Sequence, residues 1–290
     1  MTEGTARDVE TWLRARVPER GMRAKGAAVL EVLVTQPRRA SYGSAAETAE
    51  LAGVNVATVS RTAQLLGFSG WSELQQELRA RYLASLSAPD VAAAHHTEGD
   101  PGSASLRRDL DSLAVLTRRL DTQLIRTVAE AIARARRTLI VAHGSYVAVG
   151  SALGHNARLA GYDAAVVRDD ADLANSISRV EPGDVLVAIS FWRLYQSTVT
   201  AAEEAHHRGA RVFVLTDAAS PALAGAAEQV VLIPAEGVGF FPSLVPGLAV
   251  AQAIAAHLST VDPERTRRAV EAAEAQWSRF GLLHRTPRRG

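Results

Sequence analysis

The chain has 290 residues, of which 47% are hydrophobic and 22% are charged. This is the composition of a folded globular protein, and the length is sufficient for two domains. The 32 basic and 31 acidic side chains nearly cancel, so any binding of nucleic acid must depend on a local arrangement of charge. The absence of cysteine excludes disulfides, thiolate nucleophiles and cysteine-ligated zinc.

The sequence contains no recognisable targeting or membrane-spanning segment. Its first residues carry many charges and no apolar run, unlike a secretory signal peptide. The longest apolar runs, such as 185–189, have the length of a strand and fall short of the roughly 20 residues of a spanning helix. We therefore expect a soluble cytoplasmic protein that does not act at a membrane. No cofactor or metal site is indicated.

Short helices are predicted for the N-terminal segment, residues 1–86. Its most informative stretch is 44–68, SAAETAELAGVNVATVSRTAQLLGF. Ser44 begins the pattern of a capping box, and Gly53 can adopt the positive φ of a sharp turn. Asn55 can then cap a second helix. The stretch is typical of a helix-turn-helix.

Such a helix pair presents the first turns of its second helix to the major groove of DNA. The residues predicted to point outward there are Ala57, Thr58, Ser60, Arg61 and Gln64. Arg61 and Gln64 can pair with base edges, and Arg61 can instead hold a phosphate. The residues expected to contact DNA are polar and lie on this helix or at the start of either helix: Ser44, Asn55, Thr58, Ser60, Arg61 and Gln64. An ordinary pair of packed helices with a solvated polar face is the alternative.

The pattern changes beyond residues 87–108, which we predict to be a linker. A long amphipathic helix is predicted over 109–136. Runs of Val, Ile and Leu then alternate with helical stretches, at 138–144, 163–169, 185–190, 211–217 and 229–234. This alternation predicts a doubly wound α/β domain over 109–260, with a parallel sheet covered on both faces. Residues 261–290 are predicted to form a charged helix and a disordered tail.

Residues 12–83 resemble the DNA-binding domain of the RpiR family of bacterial transcription regulators. The resemblance is carried by AAETAELAGVNVATVSR and by LLGFSGWSEL (65–74). In the second stretch, the family's glycine, phenylalanine, glycine, aromatic and leucine positions are matched in order by Gly67, Phe68, Gly70, Trp71 and Leu74. Phe68 and Trp71 are expected to pack beneath the second helix and to fix its angle. The resemblance implies binding to a specific double-stranded operator.

The same family carries a sugar isomerase (SIS) domain, and residues 109–260 resemble one. Such domains hold the phosphate of a phosphosugar with hydroxyl groups and with amides at helix amino ends. The resemblance implies ligand contacts from Gly144, Ser145, Ser190, Arg193, Ser197, Thr216 and Glu236. In a related enzyme, Glu236 would serve as a base, with His143, His155 or His257 as a possible partner. No complete catalytic set can be assigned from the sequence.

One loop departs from the pattern of SIS domains. Their second ligand loop commonly reads Ser-x-Ser-Gly-x-Thr, whereas the chain reads SFWRLYQST from Ser190. Trp192, Arg193 and Tyr195 therefore replace Ser, Gly and Thr, and they would obstruct a phosphate cradle. Arg193 can supply a positive charge for an anion, and the aromatic rings can stack on a ligand. Packing at a subunit interface and a degenerate pocket are the alternatives.

Three functions are compatible with these patterns. The first is a sequence-specific DNA-binding transcriptional regulator, not an enzyme, which senses a small anionic or phosphorylated sugar and forms a homodimer or tetramer. The second is a phosphosugar isomerase or lyase with an appended helical domain. The third is an architectural DNA-binding protein whose α/β domain serves only to oligomerise. The regulator is our working hypothesis, because the helix-turn-helix is the most specific pattern in the sequence.

Overall fold

The computed structural model of the protein describes residues 3–84, 86–87, 89–91, 99–218, 220–239 and 241–284, with side chains described from residue 9 onward. The chain divides into two compact units. Residues 1–105 with 236–241 form a helical unit, and residues 106–235 with 242–290 form an α/β unit. Among the described residues, no helix combines the length and the hydropathy needed to cross a bilayer. The end of the tail that was predicted to be disordered lies outside the described residues.

The helical unit confirms the series of short helices. Its helices include α1 (Glu3–Arg14), α2 (Ala24–Thr35), α3 (Pro37–Tyr42), α4 (Ala45–Leu51), α5 (Val56–Leu65) and α6 (Trp71–Ala84). Their shared core is made of fully buried apolar side chains, among them Leu13, Leu33, Val59, Leu74 and Leu78. Phe68 and Trp71 pack against this core, as expected. The helix-turn-helix is the pair α4 and α5.

The rest of the chain alternates between helices and strands. In order it contains α7 (Pro101–Arg119), α8 (Thr122–Arg134), β1 (Thr138–Ala142), a 3-10 turn (Gly144–Tyr146), α9 (Val147–Leu159), β2 (Ala164–Val167), α10 (Asp170–Ile177), β3 (Val185–Ser190), α11 (Gln196–His207), β4 (Arg211–Thr216), α12 (Pro221–Ala224), β5 (Gln229–Leu232), α13 (Val245–Val261) and α14 (Pro263–Arg279). The strands are parallel, in the order β2-β1-β3-β4-β5. Ile140 of β1 pairs with Val166 of β2 and with Val187 of β3, which sets the register. The prediction of a parallel α/β sheet is confirmed.

Both faces of this sheet are covered by helices. Alternate residues of a strand point to opposite faces. On one face, Ile140 and Ile189 share a core with side chains of α8, α9 and α13. On the other face, Leu139 and Leu186 share a core with side chains of α10, α11 and α12. The double coverage explains why the strand sequences are continuously apolar rather than alternating.

The helix predicted over 109–136 is not continuous, and this prediction was wrong. Asp121 adopts an extended conformation between α7 and α8, and its carboxylate accepts a hydrogen bond from the backbone N–H of Gln123 at 2.8 Å. It therefore caps α8 and ends the first helix before it. Helix α7 in turn starts at Pro101, inside the predicted linker, where Asp100 accepts a 2.7 Å hydrogen bond from a backbone N–H of the first turn. In both places a local cap decides where the helix begins.

Candidate functional site

The turn between α4 and α5 depends on glycine and on two side-chain caps. Gly53 has a φ of 62°, and a Cβ at this position would meet no heavy atom within 4 Å, so conformation alone requires glycine here. Helix α4 begins with the predicted capping box, in which Ser44 Oγ accepts from the Glu47 N–H and the Glu47 carboxylate accepts from the Ser44 N–H. Helix α5 is capped by Asn55, whose Oδ1 accepts from both the N–H and the hydroxyl of Thr58, each at 2.9 Å.

Helix α5 has one buried and one exposed face. Val59 and Ala63 are fully buried. Arg61 and Gln64 are exposed, and Ser60 is partly exposed. The predicted DNA-binding residues therefore fall into two groups. These three polar side chains of α5 are accessible to solvent. Ser44 and Asn55 are exposed as well, but their side-chain oxygens, like the hydroxyl of Thr58, form the hydrogen bonds of the helix caps.

Two apolar residues also lie on the exposed face of α5: Ala57, which was predicted to point outward, and Val56, which was not. Val56 is 46% exposed, and Ala57 beside it is also exposed. They form the first turn of α5, one turn before Ser60 and Arg61. The sequence analysis passed over Val56 and left Ala57 out of the DNA contacts because it selected groups that form hydrogen bonds. The signal that could have found Val56 is the Asn55 cap, which defines the residues of the first turn.

In the α/β unit, the strand order reverses between β1 and β3. Strand β1 has β2 on its outer side, whereas β3 has β4 and then β5 on the opposite side. At such a point the adjoining loops depart toward opposite faces of the sheet, and a crevice opens at the carboxyl ends of the strands. The loops that follow Ala142 and Ser190 lie at this point. They are two of the predicted ligand loops.

His143, directly after β1, is the centre of a polar cluster at this crevice. Its Nδ1 lies 3.1 Å from Thr198 Oγ1, and its Nε2 lies 3.2 Å from both Ser197 Oγ and Asp170 Oδ1. The imidazole stacks on the ring of Tyr195 with centroids 5.1 Å apart. These groups follow β1, β2 and β3, so the parallel sheet, not the local sequence, brings them together.

The residues after His143 form the predicted junction between strand and helix. Gly144 and Ser145 lie in the 3-10 turn that leads into α9. Gly144 has a φ of 56°, and a Cβ there would lie 2.9 Å from the hydroxyl oxygen of Tyr195. Glycine thus allows the tyrosine to lie over the turn. Ser145 is exposed near the amino end of α9, where backbone N–H groups favour an anion.

The atypical loop after β3 is held by its own polar groups and by the carboxylate of Asp217, which directly follows β4. Ser190 is 3% exposed, and its hydroxyl donates to the carbonyl oxygen of Arg193 at 3.0 Å. Trp192 has a φ of 59°, and its N–H donates to the carboxylate of Asp217 at 3.0 Å. The side chain of Arg193 is exposed, and its guanidinium lies 4.7 Å from the centroid of the Trp192 ring. Ser190 therefore supports the loop, and Arg193 is the more accessible of the two.

Two further predicted ligand residues have other partners. Thr216 is 4% exposed, and its hydroxyl donates to the carbonyl oxygen of Ala218 at 3.1 Å. Glu236 belongs to the helical unit, where its carboxylate accepts a 3.0 Å hydrogen bond from Arg79. The crevice residues that the sequence analysis missed are Asp170, Thr198 and Asp217. Each follows a strand of the sheet, and that position is the signal by which they could have been found.

The two units match two known families of domain. Residues 16–85 match the family described as the helix-turn-helix domain, rpiR family. Residues 131–257 match the SIS domain. The chain is therefore a two-domain protein in which a helix-turn-helix precedes a SIS domain. Its helix-turn-helix domain is of the rpiR type.

Individual relatives support this assignment. The chain is 24% identical over 209 residues to YfhH of Escherichia coli strain K12, an uncharacterized HTH-type transcriptional regulator, covering 70% of this chain and 74% of that protein. The sugar isomerase domain of an RpiR transcription factor from Sphaerobacter thermophilus is 26% identical, with a TM-score of 0.58, over 60% of this chain and 98% of that one. The Vibrio vulnificus NanR protein, solved with ManNAc-6P, shares the fold at 20% identity, with a TM-score of 0.60, over 96% of this chain and 100% of that one.

Proposed function

We propose that the chain is a cytoplasmic transcriptional regulator that binds a double-stranded operator through α5 and responds to a small anionic or phosphorylated sugar. The observation that carries the proposal is the division of α5, which packs Val59 and Ala63 into the core and turns Arg61 and Gln64 outward. A helix whose buried face is held by the core and whose exposed face carries polar side chains can enter the major groove. The chain would act as a homodimer or tetramer, because one recognition helix reads only a few base pairs.

The effector would bind at the crevice between the ends of β1 and β3. Ser145, Ser197 and His143 offer hydroxyl and imidazole groups there, and helices α9 and α11 begin beside them. Helix amino ends favour negatively charged groups, and the exposed guanidinium of Arg193 adds a positive charge. The complex of NanR with ManNAc-6P supports the choice of a phosphorylated sugar.

Selection of duplexes from a random library with the full-length protein tests the DNA-binding part. We expect a specific operator, and we expect Arg61→Ala to lose specific binding to it while keeping the parent's melting temperature. Arg279→Ala, which removes an equally charged and exposed arginine from α14, should bind like the parent. Equal affinity of Arg61→Ala and the parent for the operator would remove Arg61 from the reading surface.

A panel of phosphosugars and organic acids tests the sensing part. A ligand that binds only the folded protein raises its melting temperature as the ligand concentration increases. We expect at least one phosphorylated sugar to do so. If no member of the panel stabilises the protein, the α/β unit is not a sensor of this class.

The surroundings of Glu236, the residue that would serve as the base of an isomerase, do not favour the isomerase alternative. A general base needs a carboxylate that can reach the substrate. The Glu236 carboxylate instead accepts a hydrogen bond from Arg79. We expect incubation with phosphosugars to give no conversion, and turnover that disappears in Glu236→Ala would overturn this conclusion.

A further inference from the structure

The first turn of α5 presents an apolar patch on a helix whose other exposed residues, Arg61 and Gln64, are polar. Val56 is 46% exposed and Ala57 is exposed, although the same helix buries Val59 and Ala63 completely. The exposure of Val56 therefore does not result from loose packing of the helix. It is a property of the face that α5 turns outward.

Helical spacing places this patch at the amino-terminal end of two rows of outward-facing side chains on α5. Val56, Ser60 and Gln64 follow one another at intervals of four residues, and so do Ala57 and Arg61. One turn of helix advances about 5.4 Å, compared with about 3.4 Å for one step of a DNA strand. The apolar turn and the polar turn that follows it would therefore face neighbouring but different base pairs.

The cap of α5 limits the polar chemistry that is available in its first turn. Reading adenine with an asparagine requires the amide oxygen and nitrogen together. Asn55 Oδ1 already accepts from the N–H and the hydroxyl of Thr58. Its oxygen is therefore committed to the cap. Val56 and Ala57 remain as the outward residues of the turn that a helix-turn-helix brings closest to the bases.

We propose that Val56, together with Ala57, reads the C5-methyl group of thymine in the operator. This methyl group is the apolar feature of the major groove, so it is the feature that an exposed valine recognises. The inference rests on the proposed function and makes it more specific. Each half-site should contain an A·T pair opposite the first turn of α5, beside the pairs that Arg61 and Gln64 contact.

Replacing thymine with deoxyuridine tests the inference, because it removes only the methyl group. In the operator selected with the full-length protein, each thymine is replaced singly and the Kd is measured. At one or two thymines per half-site, we expect the parent to bind about four-fold more weakly without the methyl group. In Val56→Ala, the same replacement should change the Kd less than about 1.5-fold, since the methyl has lost its partner. Val56→Thr keeps the shape but has a hydroxyl in place of one methyl, so its loss of affinity on the same replacement should fall between those of the parent and Val56→Ala.

Val261→Ala is the matched control, because Val261 is 41% exposed and lies at the end of α13. It should keep the parent's sensitivity to deoxyuridine, and all variants should keep the parent's circular dichroism. The inference is overturned if Val56→Ala remains as sensitive as the parent, or if no thymine is sensitive although a specific operator is bound. Failure to select any specific duplex would instead overturn the proposed function itself.

Discussion

At the scale of single residues, the core of the helical unit contains a carboxylate. Glu77 is 8% exposed, and its Oε2 lies 3.3 Å from Arg81 Nε. The guanidinium groups of Arg81 and Arg16 lie 4.6 and 5.0 Å from the centroid of the Trp12 ring. Burial raises the pKa of Glu77, and the positive charges of Arg81 and Arg16 offset this only in part, while Glu73 adds to it. The charged form is therefore less favourable in the folded protein than in the unfolded chain.

We predict that Glu77→Gln gains stability relative to the parent as the pH rises from about 4 to 7. A pKa raised by folding contributes stability that is present below the unfolded pKa and is lost as the pH passes the folded pKa. The glutamine does not titrate, so the difference in the free energy of unfolding between Glu77→Gln and the parent should follow the parent's loss of stability. Urea unfolding at several pH values measures it.

Glu47→Gln is the control for this experiment, with the opposite sign. Hydrogen bonds from the backbone N–H and the hydroxyl of Ser44 lower the pKa of Glu47. The stability that Glu47 contributes is present above its unfolded pKa and is lost as the pH falls through its folded pKa. The parent should therefore gain stability over Glu47→Gln as the pH rises. Parallel pH profiles for the two variants would contradict the assignment of the raised pKa to Glu77.

At the scale of elements, the angle between α4 and α5 depends on the positive φ of Gly53. We predict that Gly53→Ala lowers the free energy of unfolding by about 1–2 kcal/mol, because an L-residue disfavours the left-handed conformation. Operator affinity should fall as well, since the turn aims α5. Gly26→Ala is the matched control, since Gly26 lies in α2 and a Cβ there would meet Met22 and Thr62 only at ordinary contact distances of 3.5 Å or more. Gly26→Ala should raise the free energy of unfolding by about 0.5 kcal/mol. If both substitutions lowered the free energy of unfolding, the positive φ of the turn would not be the cause of the loss at Gly53.

The same scale shows how far periodicity predicts the elements. The five strands were predictable because a strand buried on both faces is a continuous apolar run, as in Val185 to Ser190. The break before α8 was not, because Asp121 fits a solvated helical position as well as an N-cap. The roles of Asn55 and Thr58 were ambiguous for a similar reason. A polar residue at a helix start can turn its oxygen toward DNA or toward the helix, and the bond between these two side chains decides it.

At the scale of the whole molecule, the order of the strands is what the sequence could not reveal. Apolar periodicity identifies β1 and β3 as strands but does not say that they are neighbours. Their adjacency places His143 within hydrogen-bond distance of Ser197 and Thr198, more than fifty residues away along the chain. The resemblance to SIS domains identified Ser145 and Ser197, which lie in recognised sequence motifs. Asp170 carries no such motif, and its position after β2 gains a meaning only once the strand order places it beside His143.

Binding of effector and operator must be linked if the chain is a regulator. The factor by which a saturating phosphosugar changes the operator Kd must equal the factor by which the operator changes the phosphosugar Kd.

We predict that Ser145→Ala raises the phosphosugar concentration needed for half of the change in operator Kd and leaves operator affinity without effector unchanged. The reason is that the exposed hydroxyl lies at the crevice and not on α5. Fluorescence anisotropy of a labelled operator measures both quantities. Ser259→Ala, an exposed serine on α13, should keep the parent's response, and an unchanged response in Ser145→Ala would place the effector elsewhere.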